Sequence, residues 1–202
     1  MGVNTSVATA RQSNSLFEYL LVGHPDKRVN DLIMAEKIKF SAERGIKMAA
    51  ATKPHITIAC FLALEPMEST IARWTQQVTS SLHSFQVTLN QFGGFPKHTL
   101  YLGLRDPQPF RQLANQLKPV MDYIHASGCP PPRLINNPHF SIARSLTEQE
   151  YSNAMADYTQ KSFYESFMIE ELVLLRRRHQ FDKCEMLQVF RFRPPEPVSV
   201  VA

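Results

Sequence analysis

The chain has 202 residues, of which 44% are apolar and 20% are charged. This composition excludes a disordered or fibrous protein, and the length is sufficient for one globular domain with a well-buried core. The formal net charge of +4 favours anionic partners such as nucleotides or RNA, without selecting among them.

The sequence has no apolar run near the roughly 20 residues that a membrane-spanning helix needs, and it begins without the pattern of a signal peptide. Cys60, Cys129 and Cys184 are odd in number and widely spaced, so they indicate free thiols rather than a disulfide framework. We therefore expect a soluble, cytoplasmic, monomeric protein without a membrane partner. Whether Gly2, which fits the loose myristoylation pattern, is modified stays open.

Residues 1–15 lack a periodic apolar pattern and are predicted to form a flexible arm. A first strand is predicted over residues 17–22, and Asp26 is placed to cap a helix that ends at Gly45. The elements predicted next are a strand from residue 55, a helix at 67–82, a strand at 85–92, a turn at 93–96 and a returning strand at 99–104.

The second half of the chain also alternates between predicted helices and strands. A helix is predicted at residues 109–126, and a proline-rich connection then leads to a strand near residue 139. Thr147 and Glu150 have capping-box spacing, which predicts a helix to about residue 161. The remaining predicted elements are strands at 167–175 and 186–192, a basic loop at 176–180 and a loose proline-rich tail at 194–202. Residues 16–193 are thus expected to form one domain.

One short pattern occurs twice. The run PHITIA begins at Pro54 and the run PHFSIA begins at Pro138. Because strand side chains alternate between faces, His55 and Thr57 should share one face, as should His139 with Ser141. The two histidines are 84 positions apart, which is too far for a local contact. They are better explained by two equivalent halves that face a common groove.

We therefore predict an α+β fold with two lobes related by a pseudo-twofold axis, each an antiparallel-rich sheet with helices on its outer face. The groove would contain an acid, a base and two neutral hydrogen-bond donors. Three alternatives stay open. The histidines could be strand-end residues with local hydrogen bonds, ligands of a metal, or part of a catalytically silent module that binds nucleotides or RNA ends.

The paired H-x-[ST]-x motifs resemble those of the 2H phosphoesterase superfamily, in its LigT-like branch of 2′,3′-cyclic phosphodiesterases and 2′-5′ RNA ligases. Residues 85–106, with the run QFGGFP before LYLGL, and the closing strand after Phe167 also resemble that branch. The resemblance covers residues 16–193. It implies hydrolysis of 2′,3′-cyclic phosphates without a metal or cofactor, with ligation as the reverse reaction.

Under this resemblance His55 and His139 are the general acid and base, in an order that the sequence leaves open, since the imidazole pKa near 6.5 suits either role. Thr57 and Ser141 would donate to the phosphate oxygens, where negative charge develops.

Residues that could bind the rest of a substrate are fewer and less distinctive. Lys53 and Arg144 flank the motifs and are candidates for phosphate contact, with solvated charges as the alternative. Tyr101 and Phe61 are candidate platforms for a base, with core packing as the alternative. The basic run 176–179 could contact an RNA backbone, although such a run is more often a solvated loop. The histidines that lie in turns or helices without the motif receive no function: His24, His83, His98 and His125.

Overall fold

Nine strands and five α-helices are formed by residues 15–179 and 182–195, the part of the chain that the computed structural model describes. Residues 1–14 of the predicted arm, with Gly2, and residues 196–202 of the predicted tail lie outside the described residues. The strands are β1 (Leu16–Gly23), β2 (Ile56–Leu64), β3 (Phe85–Phe95), β4 (Thr99–Leu104), β5 (Arg133–Leu134), β6 (Phe140–Arg144), β7 (Tyr164–Ile169), β8 (Glu171–Arg177) and β9 (Glu185–Arg191).

These strands form two antiparallel sheets. The first has the order β5-β2-β1-β8-β9 and the second has the order β6-β4-β3-β7. In the first sheet the histidine strand β2 pairs with β1, and in the second sheet the histidine strand β6 pairs with β4. The predicted α+β class with two related lobes is confirmed.

The α-helices are α1 (Lys27–Arg44), α2 (Glu68–Thr79), α3 (Gln108–Gln116), α4 (Lys118–Ala126) and α5 (Glu148–Tyr158), with short 3₁₀ helices at Lys47–Ala51 and Glu65–Met67. Helix α1 packs against β6 and β7, and α5 packs against β3 and β4. Helix α2 packs against β9 and α4, while α3 packs against β2. The helices therefore cover both sheets. No helix among the described residues is long and apolar enough to cross a membrane.

The helix ends follow the local sequence signals. The Asp26 carboxylate accepts the Val29 amide at 2.8 Å, which satisfies a free donor of the first turn of α1. Gly45 ends this helix with φ 71°, a left-handed conformation that costs glycine little. At the start of α5 both hydrogen bonds of the capping box between Thr147 and Glu150 are formed. These predictions are confirmed.

The buried face of α1 uses only some of the apolar residues that have helical spacing. It consists of Val29, Ile33, Lys37 and Phe40, whereas Leu32 and Ile38, which also have helical spacing, are 40% and 54% exposed. The stripe therefore includes a lysine at a position where an apolar residue is usual.

Some predicted boundaries are wrong. The helix expected at 109–126 is interrupted at Leu117, where α3 ends and α4 begins with Pro119 in its first turn, a position that does not need an N–H. Strand β3 continues through the glycines of the expected turn to Phe95. Helices α2 and α5 end at Thr79 and Tyr158, each three residues early.

The strand expected at 167–175 is two strands in different sheets. β7 pairs with β3 in the second sheet, and β8 pairs with β1 in the first. Only Glu170 separates them. Its carbonyl accepts the Phe192 amide at 2.8 Å, so the junction is tied to the end of β9.

Candidate active site

The first histidine lies immediately before β2. Its Nδ1 is 2.8 Å from the carbonyl oxygen of Lys53. Because a carbonyl only accepts hydrogen bonds, Nδ1 must carry the hydrogen, which leaves Nε2 of the neutral ring with a free lone pair. His55 is therefore held in the tautomer that suits proton transfer at Nε2.

The second histidine is held in the same way. Nδ1 of His139 donates to the Asn137 carbonyl at 2.7 Å. Asn137 precedes His139 by the same two positions that separate Lys53 from His55. The local hydrogen bond that we considered as an alternative to function is thus present at both rings. It occupies one nitrogen of each and leaves the other available.

The first histidine strand contains a β-bulge inside its motif. Thr57 pairs with Val22 and Ala59 pairs with Leu21, so Ile58 is an extra residue without a partner in β1. The alternation of faces reverses at this position.

The second histidine strand has its bulge at the same motif position. Ser141 pairs with Tyr101 and Ala143 pairs with Leu100, so Ile142 is the extra residue. Both isoleucines are buried, at 2% and 1% exposure. The twofold relation between the halves therefore extends to an irregularity of the backbone.

The bulge decides where the side chain after each motif points. Arg144 pairs with Thr99, two residues from Tyr101 along β4, so it lies on the same face as Ser141. Regular alternation would have placed it on the opposite face. The exposed guanidinium of Arg144 thus shares a face with the hydroxyl of its motif.

The same reversal removes Phe61 from the candidate site. It pairs with Tyr19, stacks on that ring at 5.3 Å between centroids and is 3% exposed. Regular alternation would have placed Phe61 with His55 and Thr57, but after the bulge it lies on the core face. A ring so buried offers no surface for a nucleotide base, and the core-packing alternative holds.

Tyr101, unlike Phe61, stays a candidate for the site. Its ring is half-buried beside His139, with centroids 5.1 Å apart, and Phe95 approaches the same imidazole edge-on at 4.9 Å. Gly93 pairs with Tyr101, and a Cβ at Gly93 would lie 2.9 Å from the tyrosine ring. The ring therefore needs a glycine across the ladder to take this position. Tyr101 and Phe95 together form an aromatic wall beside His139.

Burial lowers the pKa of both catalytic candidates, because charging an imidazole away from water is unfavourable. The pKa of His55 falls to about 4, mainly through burial; the neighbouring His24, Arg144 and Lys37 contribute to the decrease, and the hydrogen bond to Lys53 opposes it. The pKa of His139 is also lowered, first by burial and then by Arg144. Both rings are therefore largely neutral near pH 7.

Arg144 connects the two motifs electrostatically. Its charge lowers the pKa of both histidines, so it lies within interaction distance of each. In addition, the 3₁₀ helix Lys47–Ala51, which leads into the first motif, packs against β6. The two motifs are thus candidates for one shared site. Lys53 is exposed at the edge of this site.

Two residues near His55 were not predicted from the sequence to belong to the site. His24 donates from Nδ1 to the Pro54 carbonyl at 2.9 Å and lies edge-on to His55, with centroids 6.3 Å apart. Lys37, on the buried stripe of α1, donates to the Thr52 carbonyl at 2.6 Å. The signal that could have identified Lys37 is its position as a charged residue within the apolar stripe of α1. His24 follows Gly23, which pairs with Ile56, but that register is not visible in the sequence.

A model of the 2′-5′ RNA ligase superfamily matches residues 25–180. The chain belongs to this superfamily. The resemblance to 2H phosphoesterases drawn from the two motifs is thereby confirmed, and the match covers both of them. No curated protein matches the sequence.

Solved structures agree with the fold of the superfamily. LigT of E. coli in complex with 3′-AMP has a TM-score of 0.64 at 18% identity, over 88% of this chain and 99% of that chain. TT0787 of Thermus thermophilus has a TM-score of 0.64 at 14% identity, over 88% and 98%. A protein described as a phosphoesterase has a TM-score of 0.59 at 18% identity, over 88% and 98%. At these identities the likeness concerns the fold.

The basic run after the superfamily's closing strand is not the open loop that the sequence suggested. Arg176 and Arg177 belong to β8. Arg177 is paired with Glu18, and Arg176 donates at 2.7–2.9 Å to three carboxylates: Glu65, Glu68 and Glu185. These two guanidinium groups are committed to the protein rather than presented to RNA.

Metal ligation by the histidines was one of the open alternatives. Within residues 15–179 and 182–195, no group of three or more His, Cys, Asp or Glu side chains is arranged to hold a metal ion.

Proposed function

We propose that the protein hydrolyses 2′,3′-cyclic phosphates, at RNA ends or in small cyclic nucleotides, by paired-histidine catalysis. The observation that carries this proposal is the matched pair of imidazoles, each with Nδ1 bound to the carbonyl two residues earlier and Nε2 available. Membership of the 2′-5′ RNA ligase superfamily supports a phosphoesterase or ligase of this general class.

In the proposed reaction one neutral imidazole takes a proton from water at Nε2, and the water oxygen forms a bond to phosphorus. The bond from phosphorus to one ribose oxygen breaks, and the second histidine, protonated, gives its Nε2 proton to that oxygen. The product is a phosphate monoester, and each histidine ends in the protonation state with which the other began. The return of the protons through solvent completes the cycle.

The remaining groups bind the anion. The hydroxyls of Thr57 and Ser141 donate to the non-bridging oxygens, which carry more negative charge in the transition state than in the substrate. Arg144, turned to the same face by its bulge, supplies a positive charge within range of both histidines. Lys53 is a second cation for the approaching phosphate, in keeping with its exposure.

A nucleoside is the proposed carrier of the phosphate. The half-buried ring of Tyr101, beside His139, is suitable for stacking on a base. LigT of E. coli has been solved with 3′-AMP, NADP+ and ATP, which supports nucleotides as the ligand class. With a 5′-hydroxyl in place of water, the same groups would form a bond from its oxygen to phosphorus, break the bond from phosphorus to the 3′-oxygen and protonate that oxygen, which gives a 2′-5′ linkage.

The decisive experiment compares His55→Ala and His139→Ala with the wild type on 2′,3′-cyclic mononucleotides and on RNA with a cyclic phosphate end. Phosphorus NMR identifies the product monoester. Each variant should lose at least about 100-fold in kcat, the usual contribution of a general acid or base. His125→Ala is the matched control, because that exposed histidine on α4 lies outside both motifs.

Wild-type activity should persist in a chelator, since no step of the proposed reaction uses a metal. Substantial turnover in either single histidine variant would contradict the paired assignment. Tight nucleotide binding by the wild type with no product after long incubation would favour the silent binding module instead.

A further inference from the structure

Lys37 is a buried cation beside the candidate site that the proposed reaction does not use. It is 2% exposed, and no other charged side chain among the described residues is buried. Its ammonium donates to the Thr52 carbonyl at 2.6 Å and to the Thr52 hydroxyl at 3.0 Å. No carboxylate in the described part of the chain forms an ion pair with it. An uncompensated buried charge is costly and requires a reason to be retained.

The contacts of Lys37 belong to an ordered series that leads to His55. The carbonyls of three successive residues each accept a side-chain donor: Thr52 from Lys37, Lys53 from His55 and Pro54 from His24. The segment before the imidazole is therefore fixed at every residue. Since Nδ1 of His55 is bound to the middle carbonyl, movement of this segment would move the ring.

The other half contains a counterpart. Asn136 precedes His139 by three positions, as Thr52 precedes His55, and its carbonyl accepts Nε of Arg111 at 3.3 Å. Lys37 lies on the helix that follows β1, and Arg111 lies on the helix that follows β4. A basic side chain thus holds the same carbonyl in both halves. Coincidence explains this recurrence less well than a common role in placing the histidine.

The charge of Lys37 also reaches the site. The charge lowers the pKa of His55, and the charge of Arg144 lowers the pKa of both Lys37 and His55. Burial, with a smaller contribution from Arg144, lowers the pKa of Lys37 itself to about 8, so it is mostly charged at neutral pH. Lys37 and Arg144 are thus two cations within electrostatic range of one imidazole, and the His24 ring lies edge-on to it. Such a cluster is suited to an anionic ligand.

We propose that Lys37 is a positioning residue for the reaction proposed above: through Thr52 it fixes the segment that orients His55, and its positive charge keeps that imidazole ready to act as a neutral base or a strong acid. This proposal rests on the proposed function for its kinetic consequences. The orientation and the charge effect are measurable without any turnover.

The test is Lys37→Met, which keeps the aliphatic stem and removes the donor and the charge. We expect kcat on a 2′,3′-cyclic nucleotide to fall at least about tenfold. The pKa of His55, followed by NMR of its imidazole, should rise because a neighbouring cation is gone. The pKa of His139 should change less, because Lys37 is not among the groups that shift it. Lys39→Met, an exposed lysine on the same helix, should change neither quantity.

A folded Lys37→Met protein with wild-type kcat and an unchanged His55 titration would overturn the proposal. If that variant does not fold, Thr52→Val is decisive, because it removes only the 3.0 Å hydroxyl contact and should lower kcat about two- to threefold. Because Thr52→Val keeps the charge of Lys37, the His55 titration should stay as in the wild type, and an unchanged kcat would leave Lys37 with a structural role alone. A wild type inactive on every cyclic phosphate would refute the proposed function, while the NMR titration would still test Lys37.

Discussion

Ile58 and Ile142 are structurally equivalent: each is the extra residue of a β-bulge that directly follows the hydroxyl residue of its motif. The two strands that carry the histidines therefore share a defect as well as a sequence pattern. A bulge at one motif could be incidental, but its recurrence links it to the arrangement of the site.

The first prediction concerns Arg144, which the second bulge turns towards Ser141. Arg144→Gln should raise KM for a cyclic nucleotide about tenfold, the equivalent of one charge-assisted hydrogen bond, and weaken the dependence of KM on salt. Steady-state kinetics at several ionic strengths measures both. Arg176→Gln is the control, since that guanidinium is bound to three glutamates and should affect stability rather than KM. Equal KM values for Arg144→Gln and the wild type would remove Arg144 from the site.

The second prediction concerns the two hydroxyls. Thr57→Val and Ser141→Ala should each lower kcat by about 10- to 100-fold, because a donor to the negative charge that develops on the non-bridging oxygens is lost while the fold is kept. Thr57→Ser retains the hydroxyl and should stay within about threefold of the wild type. Should Thr57→Val lower only the melting temperature, the hydroxyl would have no part in the reaction.

The third prediction tests the aromatic wall beside His139. Tyr101→Ala should raise KM for a nucleotide by about one order of magnitude, the usual value of a base–aromatic contact, whereas Tyr101→Phe should not. Gly93→Ala should resemble Tyr101→Ala, because the added methyl group would displace the tyrosine ring that lies 2.9 Å away. An increase in KM for Tyr101→Phe as large as that for Tyr101→Ala would indicate that the hydroxyl, not the ring face, binds the substrate.

The fourth prediction is a pH profile. The reaction needs one protonated and one neutral histidine, and the pKa of His55 is about 4 while that of His139 is below its ordinary value. kcat/KM should therefore increase as the pH is lowered towards the pKa of His139, which lies below the ordinary 6.5, and it should fall again near pH 4. Arg144→Gln should move the alkaline limb to higher pH, since the loss of a cation raises the pKa of His139. An optimum above about pH 7.5 would be incompatible with these shifts.

The fifth prediction follows from the same burial. His55 has a pKa of about 4 in the folded protein and near 6.5 when unfolded, so between these values the unfolded chain binds more protons. The contribution of His55 to stability is thus fully present above pH 6.5 and is lost as the pH falls to about 4. Urea unfolding across this window should show a shallower decline for His55→Asn than for the wild type. Parallel curves would mean that His55 is not buried in the neutral form.

Local signals in the sequence were sufficient for much of the fold. Asp26, Gly45 and the Thr147–Glu150 pair mark helix ends through bonds within a few residues, so their effect does not depend on the rest of the chain. The two motifs were likewise recognisable, because each is a short strand with an unusual combination of residues. The histidines and hydroxyls, whose roles remain predictions, came from that pattern.

The features that could not be predicted from the sequence depend on contacts between distant segments. Whether Ile58 has a partner is decided by β1, which is remote in sequence, so the reversal that buries Phe61 is not encoded in the alternation of its own strand. The break at Glu170 is similar, because a continuous apolar run reads as one strand until its two partner strands are known. Lys37 was missed since helical spacing alone does not say which face is covered.

The junction at Glu170 has a mechanical consequence for the proposed chemistry. β7 and β8 belong to opposite sheets, one of which carries His139 and the other His55, and a single residue joins them. The backbone torsions at Glu170 therefore help to set the angle between the sheets and, with it, the gap that a phosphate must bridge. We therefore expect a residue that belongs to neither motif to act as a spacer for both, so that substitutions there would alter the proposed turnover without touching any group that meets the substrate.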